Sequence, residues 1–139
     1  MTRPGCRLLP HTADLRVEVR ADDLPSLLAA AAGALFSLLT DRRRVRRVER
    51  RVLPVPPGPP DEQLYLLLRK VLLLVSSERF LARSVGATMD SGILNVTLEG
   101  EAADPSRHEV YREIKAVTRH ALSMEQAAEG WTARFIVDV

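Results

Sequence analysis

From Asp14 to Ala21 apolar and polar positions alternate strictly. Leu15, Val17, Val19 and Ala21 fall on one side, Arg16, Glu18 and Arg20 on the other. A period of two is that of a half-buried strand, with Asp14 at its leading edge on the charged face. The period then lengthens. Asp22-Asp23 supplies an N-cap, Pro25 falls in the first turn, and the Ala- and Leu-rich stretch Leu24–Leu39 has the spacing of three and four that predicts a helix. Because that stretch is apolar nearly all round, it should pack closely against a sheet. Val48, Val52 and Val55 could fit a helix, but their β-branching and the prolines at 54, 56 and 57 favour an edge strand. Pro56-Pro57-Gly58-Pro59-Pro60 is a turn that neither helix nor central strand can cross. Asp61 then reads as the cap of a second helix, Glu62 to about Ser77, with its leucines on a buried stripe.

The rest of the chain reads as strands. Residues 81–89 and Leu94–Leu98 flank a hairpin turn at Asp90-Ser91-Gly92. Asp104-Pro105-Ser106 breaks the pattern; Glu113–His120, Leu122–Gln126 and Trp131–Val139 follow. In the last of these Trp131, Ala133, Phe135, Val137 and Val139 share a face, so Asp138 points away from it. The expectation is a single α+β domain over residues 1–139: two helices packed on a mostly antiparallel sheet of six to seven strands. The pattern leaves open whether that sheet closes into a barrel.

Composition narrows the class. With 46% apolar and 27% charged residues in 139, the chain can bury one good core. Arg69 and Lys70 interrupt the apolar run 64–75, and the N-terminus lacks a signal-peptide h-region, so the expected location is the cytoplasm, without a membrane partner. A single cysteine, Cys6, excludes an internal disulfide and a cysteine zinc cage. The formal net charge is only +2, yet residues 42–51 hold seven arginines. Eighteen arginines against two lysines is an imbalance that a GC-rich genome produces as readily as selection for guanidinium chemistry. Arg42, Arg43, Arg44, Arg46 and Arg47 therefore have two readings: a solvated edge whose stems lie over apolar surface, or a patch that contacts phosphates.

Several chemistries are absent from the sequence. There is no Gly-x-Ser-x-Gly elbow, no Gly-x-x-x-x-Gly-Lys-Ser/Thr loop and no Gly-x-Gly-x-x-Gly. The spacings of His11, His108 and His120 match no zinc motif; orienting a carboxylate suits them better than ligation. The carboxylates stand out more. Asp14 at the start of the first strand and Asp138 at the end of the last would meet if those strands are neighbours, and the α-carboxylate of Val139 would make a third negative group. Charges gathered in this way need a counter-charge, either a hard cation held by oxygen or a side chain such as Lys115 or an arginine. A salt bridge of Asp14 with Arg16 or Lys115 explains the pattern equally well.

Three motifs, His-Thr-Ala-Asp at 11–14, Glu-Ile-Lys-Ala-Val-Thr-x-His at 113–120 and Trp-x-Ala-Arg-Phe-Ile-Val-Asp-Val at 131–139, resemble those of the archeases in order, spacing and placement. The resemblance covers essentially the whole chain. It departs at Arg16, where a small residue such as glycine is usual, at Arg119, where tyrosine is usual, and at Leu66-Leu67-Leu68-Arg69, which replaces a Trp-Leu-Asn stretch. The departures touch surface contacts more than the acidic site. Archease resemblance implies an accessory protein rather than an enzyme. It would assist an RtcB-type RNA ligase by promoting GTP- and manganese-dependent guanylylation and repeated turnover in tRNA splicing and RNA repair. It further implies that Asp14, Asp138 and the Val139 carboxylate hold a divalent cation, calcium in the family, with manganese or magnesium as alternatives. Lys115 would be functional nearby, with His11 and His120 near the same site, and RNA would be met only through the ligase. Two other functions compete: a tRNA-binding chaperone acting through Arg42–Arg51, and a small metal-dependent hydrolase using the same carboxylates.

Overall fold

The fold is described over residues 13–139 by a computed structural model. Its elements are β1 (Asp14–Ala21), α1 (Leu24–Leu39), a 3-10 turn (Arg42–Arg44), β2 (Glu49–Val55), α2 (Pro60–Glu78), β3 (Phe80–Asp90), β4 (Ile93–Ala102), β5 (Ala116–Ala127) and β6 (Gly130–Asp138). The α+β class and the two helices are as the periodicity predicts. The six strands form two antiparallel sheets of three, ordered β1-β6-β5 and β2-β4-β3, and among the described residues no pairing joins them into a barrel. Each sheet has an edge strand that discourages further pairing, Pro54 breaking β2 and a bulge breaking β5.

Both helices bridge the sheets. α1 packs on β1 and β3, α2 on β5, β2 and β3, and the two helices touch each other. Leu27, Leu28, Ala31, Ala32, Leu35, Phe36 and Leu39 are buried along α1, an arc wide enough to meet both sheets at once. That explains the all-round apolar character of the segment. Phe36, Phe80 and Phe135, one each from α1, β3 and β6, lie fully inside the one core cluster. Truncating any of them should cost about 3–5 kcal/mol.

Local chemistry sets most boundaries. The Asp23 carboxylate caps α1 by accepting the Ser26 N–H at 2.8 Å. Ser91 and Gly92 both have positive φ, 53° and 80°, which makes the β3–β4 hairpin a type I′ turn. Two expectations shift. α2 starts at Pro60, with Pro59 rather than Asp61 at the N-cap and no side-chain cap bond. Pro60 is preset for the first helical position, so Asp61 and Glu62 fall in the first turn, where they complement the helix dipole. The two strands read at 113–120 and 122–126 are one strand, β5, which begins at Ala116. Residues 119–122 bulge opposite Phe135 between the pairs Thr118↔Ile136 and Ser123↔Arg134, around Ala121 at φ 61°.

Candidate functional site

The alternation of β1 and β6 fixes the acidic edge. They pair so that Leu15 meets Val137 and Val17 meets Phe135 on the core face, which puts Asp14 directly opposite Asp138 on the outer face. Cβ atoms of a directly opposed pair lie roughly 4.5–5.5 Å apart, close enough for the two carboxylates to feel each other. Both aspartates are exposed. The third strand joins at the same end: Ala116 is the partner of Asp138, and the Lys115 N–H donates to the Asp138 carbonyl at 2.8 Å. The Val139 N–H donates to the Ala13 carbonyl at 3.3 Å, laying the end of β6 against the start of β1.

The ion-pair alternative is not what forms here. Among the described residues, no Lys or Arg lies within ion-pair distance of Asp14 or Asp138, neither Arg16 nor Lys115 included. Nor do three or more His, Cys, Asp or Glu side chains converge anywhere among the described residues. What the edge offers a cation is two opposed carboxylates with open access for water. That suits a hard, oxygen-seeking ion that keeps part of its hydration, and not zinc. His120 lies four residues beyond Ala116, exposed in the β5 bulge, where its N–H donates to the Thr118 hydroxyl at 3.1 Å. It therefore stands along the strand from the aspartates rather than beside them. His11 lies outside the described residues.

His108 does different work. Its Nδ1 accepts the Asp104 N–H at 2.9 Å, which leaves the proton on Nε2, 3.0 Å from a Glu101 carboxylate oxygen. Glu101 is buried and also accepts from Arg107 at 2.6 and 3.0 Å and from the Arg46 N–H at 2.8 Å. The Arg107 hydrogen bonds above all, and the Arg46 N–H after them, outweigh burial and lower the Glu101 pKa to about 2. The site is closed and satisfied, a structural clasp rather than a metal centre.

The arginine run is dispersed by the fold. Arg43 forks onto both oxygens of Asp41 at 3.0 Å each, Arg44 donates to the Arg107 carbonyl, and Arg47 donates to the Ser84 hydroxyl at 3.1 Å beside Glu99. Arg46 holds Glu101 through its backbone. Arg42 turns inward. Its guanidinium lies on α1, donating to the Gly33 carbonyl at 3.0 Å and the Ser37 hydroxyl at 3.3 Å, and reaches the Arg83 carbonyl on β3 at 3.2 Å. Arg83, outside the run, donates to the Arg43 carbonyl in return. An open cleft of about 440 Å³ lies here, lined by Ser37, Arg42, Arg43, Arg83 and Tyr111. Sequence reasoning missed Arg83, Tyr111 and Gly33; the one legible signal was a glycine inside an otherwise Ala/Leu-rich helix.

Arg119, the departure in the second motif, also has a partner. From the β5 bulge it forks onto Glu62 at 2.6 and 3.1 Å and stacks 3.9 Å from the Tyr65 ring centroid, tying β5 to α2. No described helix is long and apolar enough to cross a membrane.

The chain is 29% identical over 134 residues to the protein archease of Pyrococcus abyssi, covering 93% of this chain and 94% of that one. It is 30% identical to that of Methanopyrus kandleri, with coverage of 94% and 96%. Among solved structures it is similar to the solution structure of Methanobacterium thermoautotrophicum protein 1598, with a TM-score of 0.76, 27% identity, and coverage of 92% of this chain and 94% of that one. Residues 7–139 match the archease protein family (MTH1598/TM1083), and the chain belongs to that family.

Proposed function

We propose that this chain is an accessory protein of an RtcB-type RNA ligase, promoting the ligase's GTP-dependent guanylylation and its repeated turnover in tRNA splicing and RNA repair. Family membership supports the general reading, and the opposed pair Asp14↔Asp138 carries the specific one. Two carboxylates held in register on an exposed strand end, with no cation of the chain's own beside them among the described residues, form a tip that can be offered to another protein's active site. In this reading Asp14, Asp138 and the α-carboxylate of Val139 hold a divalent cation, with calcium favoured and manganese or magnesium as alternatives. Bound there, the ion would supply positive charge that helps retain nucleotide phosphates while the ligase is guanylylated.

The chain's own residues have plainer roles. The β1–β6 ladder fixes the spacing of the two carboxylates, so little ordering is needed when a cation or partner arrives. The Lys115 N–H pins β5 against Asp138, and in this reading the Lys115 side chain, on the same strand end, serves as a donor to an anionic partner or nucleotide. RNA is met through the ligase.

The test is guanylylation and multiple-turnover ligation by the partner ligase with wild-type, Asp14→Ala and Asp138→Ala protein. Both variants should lose most of the stimulation, and full stimulation by both would remove the acidic tip from the mechanism. A C-terminal extension converts the Val139 carboxylate to an amide; if the extended chain binds the cation and stimulates equally, Val139 is not a ligand.

A further inference from the structure

Arg42 and Arg83 form the most unusual electrostatic feature away from the acidic edge. Both are half-buried, and among the described residues neither makes an ion pair. Every partner of Arg42 is neutral: the Gly33 and Arg83 carbonyls and the Ser37 hydroxyl. Its Nε is sealed from solvent with no acceptor. Asp41, the nearest acid in the cleft, is committed through both oxygens to Arg43. Burial, and then the charge of Arg83, push the Arg42 guanidinium pKa down. Half-buried charges are ordinarily paired, so two adjacent cations without an anion leave a deficit of negative charge.

The surroundings are built to keep that arrangement. Arg83 is the extra residue of the β3 bulge, between the pairs Ala82↔Gly100 and Ser84↔Glu99. Leaving the ladder frees its carbonyl for Arg42 and turns its side chain toward the 3-10 turn. Gly33, in mid-helix, lets the Arg42 guanidinium rest on the helix surface, since a Cβ there would come within 2.9 Å of Nη1. A bulge, a helix glycine and a buried donor thus converge on one cleft. Arg83 has N–H groups to spare, and the hydroxyls of Ser37 and Tyr111 line the same cleft.

We propose that the cleft between the C-terminal end of α1, the 3-10 turn and the β3 bulge binds a phosphate-class oxyanion between Arg83 and the outer edge of Arg42, assisted by Tyr111. Guanidinium forks match tetrahedral oxyanions in geometry and charge, and a cleft of about 440 Å³ holds a phosphate group with its substituent outside. The phosphate could be a small free anion or a group on a nucleic-acid strand; the chemistry of recognition is the same. The site is independent of the acidic tip.

The experiment is titration of the full chain with inorganic phosphate at constant ionic strength, followed by calorimetry and amide chemical shifts. A second titration uses a short single-stranded oligoribonucleotide. Saturable binding is expected, with shifts centred on Arg42, Arg83 and Tyr111. Arg83→Gln should weaken it about tenfold or more, and Tyr111→Phe, exposed and safe for the fold, about threefold. Competition between the oligoribonucleotide and phosphate would identify a nucleic-acid phosphate as the ligand; phosphate binding without competition would identify a small anion. No saturable binding of either probe, or unchanged affinity in Tyr111→Phe and a folded Arg83→Gln, would overturn the proposal.

Discussion

Two pairs of like charges are held together in this molecule by opposite means. Asp14 and Asp138 meet on a regular ladder, exposed, because strands β1 and β6 pair without interruption from one end to the other. Arg42 and Arg83 meet half-buried, at a 3-10 turn and a bulge where regular structure breaks off. The exposed pair repels weakly through water and persists at small cost. The half-buried pair needs a glycine seat, borrowed carbonyls and, in our reading, an anion. Regular structure places charge cheaply where solvent can screen it, whereas burying charge takes dedicated irregular structure.

Glu101 is the compensated reference between these extremes, and it carries the largest expected effect. Its carboxylate satisfies Arg107, His108 and the Arg46 N–H just beyond the 3-10 turn. Glu101→Ala should cost about 3 kcal/mol in urea denaturation at neutral pH, since it strands a guanidinium and a buried imidazole together. The pH dependence follows from the lowered folded pKa, about 2 against an ordinary 4.5. The stabilisation, about 3 kcal/mol, is fully present above the ordinary value and is lost as pH falls from there through 2. Wild-type and variant stabilities should therefore converge in acid; a constant gap down to pH 2 would show that Glu101 acts through packing and not charge.

The two pairs also differ in how readily they could be read from sequence. Asp14 and Asp138 were legible because strict alternation fixes facing, and because first and last strands need only be neighbours for their ends to meet. The helix Leu24–Leu39 was legible for the same reason, a period sustained over many residues. The arginine clasp was not. Arg83 is the bulged residue of a strand whose alternation the bulge itself conceals, and Tyr111 arrives from a segment stitched to α1 by the Tyr111 N–H on Leu39 and the Thr40 hydroxyl on Glu109. The division into two sheets was equally invisible, since strand partners are chosen by long-range packing. At β5 the left-handed Ala121 carries one strand through what reads as a break.

Next in size is a sign reversal at Gly33. Alanine is the better helix former by up to about 1 kcal/mol, so Gly33→Ala alone would stabilise α1 if nothing lay against it. The Arg42 guanidinium does lie there, and the new methyl must push it off its carbonyl acceptors. In the wild-type background the substitution should be neutral to destabilising by roughly 1 kcal/mol; after Arg42→Ala has emptied the seat it should stabilise. A double-mutant cycle in chemical denaturation reads the difference directly. Equal effects in both backgrounds would show that the glycine is not there for Arg42.

The smallest effect concerns the aspartates, and it tests whether the exposed pair is as cheap as the comparison holds. Directly opposed like charges destabilise a strand pair by roughly 0.2–1 kcal/mol. Asp138→Asn removes one charge while keeping the side chain's shape, so in chelator at low ionic strength the variant should be more stable than wild type by about that amount. Salt should shrink the gain, because the pair is exposed and screened. Adding calcium should reverse the order: the wild-type chain gains stability through binding, whereas the variant, with one carboxylate fewer, gains less. A variant less stable than wild type even in chelator would mean that Asp138 has a compensating partner, and the tip would then be a structural contact and not an open site for a cation.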